Sequence, residues 1–480
     1  MNRTLRAWHV CGVFALGSLL LQPAIAQVAD TTGSAAIIAQ APVDEPHSRD
    51  AFDAAVWGMP IVSVDAMRDA YLRDAGAHYN DIVYWSRPAD WKNQTTTPNS
   101  SSLYVYFNYN LKDGPVVIDI PAAEGIGVFG SVLNSWQVPL ADVGREGEDM
   151  GNGARYLLLP PGFEGEPPAG YVALQSDTYN GYALIRVTPG TLLPDDLRKA
   201  NAFVHKMHVS SLANASGNAP QRLIEMDGKV FDGIVQFDDT YFVRLARMVS
   251  EEPALPRDAG AYVRLRALGI EPGKPFMPDA AMRARMHAAA LEARASFRQT
   301  LQSGARPWWP GLQWGIVSPV PLAVKTHFTF DDGQGVDTRL RGALYFLAYA
   351  PPQKLGKATF YLTSWRDQQG ELLDGSTHYR LRVPPHVPAW QFWAVNVYDS
   401  ETSGFIRHAP RVGIDSYDKG LQRNPDGSID IYFGPVPPAG KTENWIYTAP
   451  GKPWFAAFRL YGPEPAIFDR SWTMADITRQ

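Results

Sequence analysis

The sequence contains a single cysteine in 480 residues, Cys11, which lies in an apolar segment at the start of the chain. Downstream of it there can be no disulfide, no thiolate nucleophile and no cysteine-ligated metal. The fold must therefore be stabilised by its hydrophobic core. With 45% hydrophobic residues, the chain has ample apolar material for one.

Runs of basic residues are also missing. Lys and Arg number 44 against 49 Asp and Glu, and the net charge of −5 becomes −7 if Arg3 and Arg6 are removed with a leader. Nucleic acid is therefore not an expected partner. Beyond the N-terminal segment, no apolar stretch approaches the length of a membrane span, so we expect none after signal cleavage.

The sequence also lacks the short motifs of several enzyme classes, namely the G-x-S-x-G elbow, the Rossmann glycine pattern and the P-loop. His205 and His208 have i, i+3 spacing on a predicted helix, which suits a metal but is also ordinary for surface histidines. We expect no metal and no other cofactor. Whether the chain is an enzyme stays open, because a catalytic triad or a carboxylate pair need not be close in sequence.

The N-terminus is typical of an export signal. Two arginines precede an apolar core from Val10 to Leu21, and Ala24-Ile25-Ala26 forms a small-x-small cleavage site. We predict a signal peptide over residues 1–26, a flexible lead over 27–47, and a periplasmic or secreted location. An uncleaved membrane anchor is the alternative.

Strand and helix patterns alternate in blocks. Aromatic and β-branched residues alternate from about Ser101 to Thr188, apolar residues recur at helical spacing from 194 to 303, and strand patterns return from about Tyr345 with "ALYFLAYA". The 41 glycines and 39 prolines suit short strands joined by turns.

These patterns predict a mainly β fold with an α-helical insertion. We expect an N-terminal helix and a first β-sandwich over 48–193, a helical linker segment over 194–305, and a second β-sandwich over 306–480.

The two strand-rich regions share an order of features. Each has an apolar strand, a Pro/Gly turn, an aromatic residue that opens another strand, and then an apolar strand with a late arginine. The aromatic residue and the arginine are Tyr171 and Arg186 in the first region, and Trp445 and Arg459 in the second. This order favours two related β-sandwiches.

Arg459 is the one charge in the apolar strand "WFAAFRLY". Alternation places it on a half-apolar face, and a covered guanidinium needs a partner because an unpaired one costs several kcal/mol. One interpretation is an ion pair that fixes the strand register, with Asp399, Asp430 or Glu443 as the acid. The other is a group that binds an anion in a cleft.

Aromatic residues are plentiful, and they either fill the contact between domains or stack on a sugar or another flat ligand. The candidate ligand-binding residues are Trp136, Arg186, Trp308, Trp309, Trp393, Trp445 and Arg459. Candidate catalytic carboxylates are Asp142, Asp177 and Asp399.

Long strings of the sequence resemble a pair of bacterial domains of unknown function that occur together. The N-terminal domain is matched by "GPVVIDIPA", "SWQVPLADVG" and "SDTYNGYALIRV", and the C-terminal one by "FWAVNVYDSETSGFI", "NPDGSIDIYFGP" and "NWIYTAPGKPWFAAFRLYGP". The resemblance implies tandem β-sandwiches of jelly-roll type joined by a helical segment. Two acids that are frequent in the N-terminal domain are replaced here by Ser101 and Asn134.

Three functions fit this sequence. The first is an exported protein that binds a small or carbohydrate-like ligand in an aromatic cleft between two β-sandwiches. The second is a hydrolase that uses carboxylates in that cleft, and the third is a capsid-like assembly or structural subunit. A homo-oligomer is compatible with all three.

Overall fold

The computed structural model describes residues 46–215, 220–317, 322, 328–331 and 335–480. The expected signal peptide (1–26) lies outside the described residues, as does nearly all of the expected lead (27–47). Among the described residues no helix is long and apolar enough to cross a membrane.

The described chain is mostly β-structure, with several sheets and seven helices. The helices are α1 (Pro46–Arg73), α2 (Pro194–Val204), α3 (Thr240–Glu251), α4 (Ala259–Ala267), α5 (Ala280–Gly304), α6 (Thr338–Leu347) and α7 (Pro465–Phe468). The strands of the first half are β1 (Ile82–Tyr84), β2 (Asn93–Gln94), β3 (Leu103–Asn110), β4 (Val116–Ile120), β5 (Gly127–Asn134), β6 (Pro139–Gly144), β7 (Ala154–Leu159), β8 (Val172–Gln175), β9 (Asn180–Thr188), β10 (His208–Ser211), β11 (Leu223–Glu225) and β12 (Phe231–Asp232). Those of the second half are β13 (Arg306–Pro307), β14 (Gly315–Ile316), β15 (Thr359–Ser364), β16 (Tyr379–Val383), β17 (Ala389–Asp399), β18 (Gly413–Asp415), β19 (Ile429–Gly434), β20 (Trp445–Tyr447), β21 (Trp454–Pro463) and β22 (Thr478–Arg479).

Each half contains one six-stranded and one four-stranded sheet, and the first half also contains a two-stranded sheet of β12 and β2. The six-stranded sheets have the orders β11-β1-β3-β9-β5-β6 and β13-β14-β15-β21-β17-β18, and the four-stranded ones β10-β4-β7-β8 and β20-β19-β16-β22. In both halves the strand opened by the aromatic residue pairs in parallel, as β8 with β7 and β20 with β19. The repeated order seen in the sequence therefore corresponds to a repeated strand arrangement.

The two halves share one core. Buried side chains from residue 51 to residue 477 form one hydrophobic cluster, and residues 44–480 form one compact unit. The expected boundaries 48–193, 194–305 and 306–480 stay a prediction.

The helical predictions hold for α3 and α5. In α5, Met286, Ala289, Ala293, Phe297 and Leu301 are buried at spacings of three and four residues, as an amphipathic helix requires. The Asp279 side chain caps this helix by accepting the N–H of Met282.

Two local predictions are wrong. "ALYFLAYA" belongs largely to α6 and not to a strand. The helix is buried on all sides from Arg341 to Leu347, so its sequence shows the same continuous apolar run as a buried strand. The predicted helix over the two histidines ends at Val204, and His208 begins β10, so the two imidazoles do not share a helix face.

In each half, a segment that precedes a strand is hydrogen-bonded to the other half. Before β3, the Thr97 N–H donates to the Ser403 carbonyl oxygen at 2.7 Å. Before β15, the Gln353 N–H donates to the Asp142 carboxylate in β6 at 2.8 Å. This exchange brings the two six-stranded sheets together at the site described next.

Candidate functional site

Arg186 and Arg459 occupy matching positions in the two halves. Each lies in the fourth strand of its six-stranded sheet, β9 or β21. Arg186 is paired in register with Tyr104 of β3, and Arg459 with Tyr361 of β15. The guanidinium carbons lie 5.6 Å and 4.5 Å from the centres of those two rings.

Arg459 is held by neutral groups. Its side chain is 2% exposed, and Nη2 donates to the Thr97 carbonyl oxygen at 2.6 Å and to the Tyr398 hydroxyl at 2.7 Å. Burial opposes its charge, but the surrounding tyrosines favour the charged form and hold its pKa well above the usual value. Arg459 is therefore charged at any physiological pH.

The expected acid partners of Arg459 bind elsewhere. Asp430 pairs with Arg382 at 2.8 Å. Glu443 is nearest to Arg411, and the Asp399 carboxylate accepts the N–H of Glu401 in the turn that follows β17. The ion-pair interpretation of Arg459 is thus wrong.

Arg186, like Arg459, has no carboxylate partner among the described residues. Its guanidinium lies between the rings of Tyr104 and Phe129, 5.6 Å from each ring centre. The Nε atoms of Arg186 and Arg459 are both buried without a hydrogen-bond partner. Within the described part of the chain, neither guanidinium has a carboxylate at ion-pair distance. The buried charge of Arg459 and the half-buried charge of Arg186 thus have no carboxylate partner among the described residues.

Both arginines line one cavity of about 200 Å³ at the junction of the two six-stranded sheets. Its wall is largely apolar, with side chains such as Ile316, Leu347 and Phe360. Other residues in the lining are polar or charged, among them Thr97, Ser131, Asp142, Glu146, Lys354, Lys357 and Tyr361. A concave, mostly apolar space with a small number of polar groups is the usual form of a small-molecule site.

Asp142 is the candidate carboxylate that lines this cavity. It is 8% exposed, and it accepts hydrogen bonds from Ser131 Oγ at 2.9 Å and from the Gln353 N–H. Burial raises its pKa to about 6, although the Gln353 N–H partly opposes the shift. A carboxyl with such a pKa can exchange a proton near neutral pH.

Tyr361 interacts electrostatically with both arginines. Burial alone would raise the pKa of its phenol, but Arg459 and Arg186 hold that pKa below its usual value. Its hydroxyl donates to the Tyr461 hydroxyl at 3.3 Å. Sequence reasoning missed Tyr361, because "ATFYLTSW" has the pattern of an ordinary apolar strand and its neighbour Arg459 is about a hundred residues away.

The other two candidate carboxylates lie away from the cavity lining. Asp177 accepts Asn134 Nδ2 at 2.5 Å and lies 3.4 Å from Arg257 at the surface. Burial raises the pKa of Asp399, but its carboxylate caps a turn. Their catalytic roles stay predictions, and the structure does not bring them together with Asp142.

The candidate tryptophans are buried in the packing of the fold and are absent from the cavity lining. Trp308, Trp309 and Trp445 donate their indole N–H groups to backbone carbonyl oxygens of Ile467, Trp472 and Gly434.

The other two candidate tryptophans pack against neighbouring rings. Trp393 stacks on Phe458 with ring centres 5.9 Å apart, and Trp136 lies edge-on to Trp57 at 4.9 Å. Trp390, in contrast, is 55% exposed. In this arrangement Trp390 has more ring surface open to solvent than any of the five candidates.

The chain is similar to two families of proteins of unknown function. Residues 79–211 match the family described as DUF1254, and residues 358–465 match the one described as DUF1214. These matches agree with the resemblance to a pair of domains of unknown function. None of the curated proteins with which the chain was compared matches it.

Two solved structures of low sequence identity were found to be similar to this chain. The VPA0106 protein from Vibrio parahaemolyticus is 16% identical over 90% of this chain and 100% of its own, with a TM-score of 0.55. A putative uncharacterized protein from Burkholderia cenocepacia is 13% identical over 90% of this chain and 96% of its own, with a TM-score of 0.40. Only the first supports a shared fold.

Proposed function

We propose that the protein binds a small organic acid in the cavity between the six-stranded sheets. The carboxylate of the ligand would lie at Arg186 and Arg459, and its ring or short alkyl body would lie against the apolar wall. The observation that carries this proposal is that the buried Arg459 and the half-buried Arg186 line one cavity, and that neither has a carboxylate partner among the described residues.

Electrostatics favours an anion at this position. A buried charge without a counterion destabilises a fold by several kcal/mol, so a bound carboxylate would offset that cost. Arginine is suited to the role because its planar donors match the two oxygens of a carboxylate.

The size and lining of the cavity limit the rest of the ligand. An apolar cavity of about 150 Å³ can hold benzene, so a cavity of about 200 Å³ suits one ring or a short chain with a carboxylate. Its wall offers apolar contacts where a sugar would need many hydrogen-bond partners. The ligand class therefore shifts from the expected carbohydrate to an apolar carboxylate.

Hydrolysis is a second candidate function, and Asp142 is the observation that favours it. Its pKa of about 6 is suitable for a general acid or base, and it lines the same cavity. Both carboxylate oxygens already accept the Gln353 N–H, however, and this restricts their access to a substrate.

The proposal also covers the location of the protein and the type of its β-sandwiches. The signal-like segment over residues 1–26 supports a periplasmic or secreted location. One six-stranded and one four-stranded sheet in each half support tandem β-sandwiches of jelly-roll type. The ligand would then be met outside the cytoplasm.

A thermal-shift panel tests the binding proposal. Benzoate, phenylacetate and hexanoate should raise the melting temperature, whereas benzamide, benzyl alcohol and glucose should not. At a ligand concentration of 100 times Kd, the stabilisation should be about 2.7 kcal/mol. Equal stabilisation by benzamide, or no response to any carboxylate, would overturn the proposal.

A further inference from the structure

Tyr361 is placed to act on a ligand that the two arginines hold. It lines the cavity, it is paired in register with Arg459, and its ring lies 4.5 Å from the Arg459 guanidinium carbon. We propose that Tyr361 is a catalytic residue that removes a proton from the carbon next to the carbonyl of a bound 2-oxo acid. This inference rests on the proposed binding of a carboxylate at Arg186 and Arg459.

The presence of two arginines points to this substrate class. A single guanidinium can hold a carboxylate with two parallel hydrogen bonds. A second one beside it is available for the neighbouring carbonyl oxygen, where negative charge develops when a proton leaves C3. Donors aimed at such an oxygen are a major source of transition-state stabilisation. A 2-oxo acid has these two oxygen functions on adjacent carbons.

The proton transfer is balanced without a further reactant. The C3–H bond breaks, the Tyr361 phenolate oxygen takes the proton, and the electron pair of that bond forms the C2–C3 double bond of the enolate. The enolate oxygen is neutralised by an arginine. Return of a proton from the Tyr361 phenol to C3 restores the keto acid, and in deuterated water this return introduces deuterium.

The surroundings of Tyr361 favour the phenolate that this step requires. The Asn99 Nδ2 group and the Tyr361 hydroxyl both donate to the Tyr461 hydroxyl oxygen, so the Tyr361 proton already points at a neighbouring oxygen. Arg459 and Arg186 lower the pKa of Tyr361 despite its burial. Burial raises the pKa of Tyr461 well above its usual value, so of these two phenols Tyr361 loses its proton first.

Deuterium exchange tests the inference. Phenylpyruvate and 2-oxobutyrate are incubated in deuterated buffer, and loss of the C3 proton signal is followed by NMR with and without protein. We expect the protein to accelerate exchange and Tyr361→Phe to slow it by about 10² to 10⁴-fold. Tyr432→Phe is the control, because this half-buried tyrosine of β19 lies outside the cavity lining.

Binding is measured on the same samples, so that the two proposals can fail separately. If Tyr361→Phe retains benzoate affinity and loses exchange, the catalytic role is supported. If phenylpyruvate binds and its exchange equals the buffer rate, or if Tyr361→Phe exchanges as fast as the wild type, the catalytic role is wrong and the binding proposal stands. If no carboxylate binds at all, both proposals are wrong.

Discussion

Arg459 is paired with Tyr361 across two neighbouring strands, and its guanidinium carbon lies 4.5 Å from the centre of the Tyr361 ring. Arg186 and Tyr104 repeat this pairing in the other half of the chain. Both arginines lie in one cavity, and neither has an acid partner among the described residues. The repeated architecture thereby places two guanidinium groups in one cavity, which is the basis of the proposed carboxylate site.

Replacing Arg459 should affect the free energy of unfolding only moderately. Arg459→Met removes a buried charge and leaves the Thr97 carbonyl oxygen without its donor, a loss of about 1–3 kcal/mol. Arg68→Met should destabilise more, because Arg68 is buried and pairs with two acids, Asp65 and Glu251. Asp65 keeps Arg244 and Arg247 as partners in this variant, so the loss comes from both broken pairs together. Urea unfolding of both variants checks the order, and the reverse order would contradict this account of Arg459.

The titration of Asp142 should make the free energy of unfolding depend on pH. Its pKa is about 6 in the folded chain and about 3.9 when unfolded. The folded state thus binds more protons between these values, and the free energy of unfolding falls as the pH rises through them. The difference between the folded and the unfolded pKa corresponds to a loss of roughly 3 kcal/mol across this range.

The measurement is urea unfolding at several pH values. Asp142→Asn should remove that decline. The free energy of unfolding of the variant should therefore rise relative to that of the wild type as the pH increases from about 4 to about 7. Asp113→Asn, at an exposed position, serves as the control. A constant difference between wild type and Asp142→Asn at all pH values would show that Asp142 does not titrate in this range.

Tyr361 should lose its phenol proton at a lower pH than an ordinary tyrosine does. Burial is the largest single influence and raises the pKa of its phenol, but the charges of Arg459 and Arg186 and the hydrogen bonds of Thr359 and Tyr461 together lower that pKa. In a spectrophotometric titration, the wild type should form one tyrosinate at a lower pH than Tyr361→Phe does. Arg459→Met should raise that pH. Identical curves for wild type and Tyr361→Phe would refute the lowered pKa.

A buried tryptophan should contribute more to the free energy of unfolding than an exposed one. Trp309→Ala should lower the free energy of unfolding by about 3–5 kcal/mol, because the ring is 4% exposed and its N–H is bonded to Trp472. Trp390→Ala, at a side chain that is 55% exposed, should change it by about 0.5 kcal/mol or less. Similar losses for the two variants would show that Trp309 does not have this packing role.

The sequence could predict features that depend on nearby residues. The strand blocks, helices α3 and α5, and the repeated arginines follow from periodicity and order. The α6 helix could not be recognised, because a segment buried on all sides has no polar face to reveal its period.

The cavity could not be predicted, because it depends on contacts that are distant in sequence. Thr97 meets Arg459 across 362 positions, and Gln353 meets Asp142 across 211. Nothing in the local pattern at Tyr361 indicates that two cations lie beside it. The same limit explains why acids placed in neighbouring strands were expected, wrongly, to pair with Arg459.

Calorimetric titration of benzoate tests the central claim most directly. The wild type and Arg423→Met, an exposed control, should bind benzoate with equal affinity. Arg186→Met and Arg459→Met should each bind it about 10- to 150-fold more weakly, which corresponds to the loss of a charged hydrogen bond of about 1.5–3 kcal/mol. Unchanged affinity in both arginine variants would contradict the assignment of this cavity as a carboxylate site.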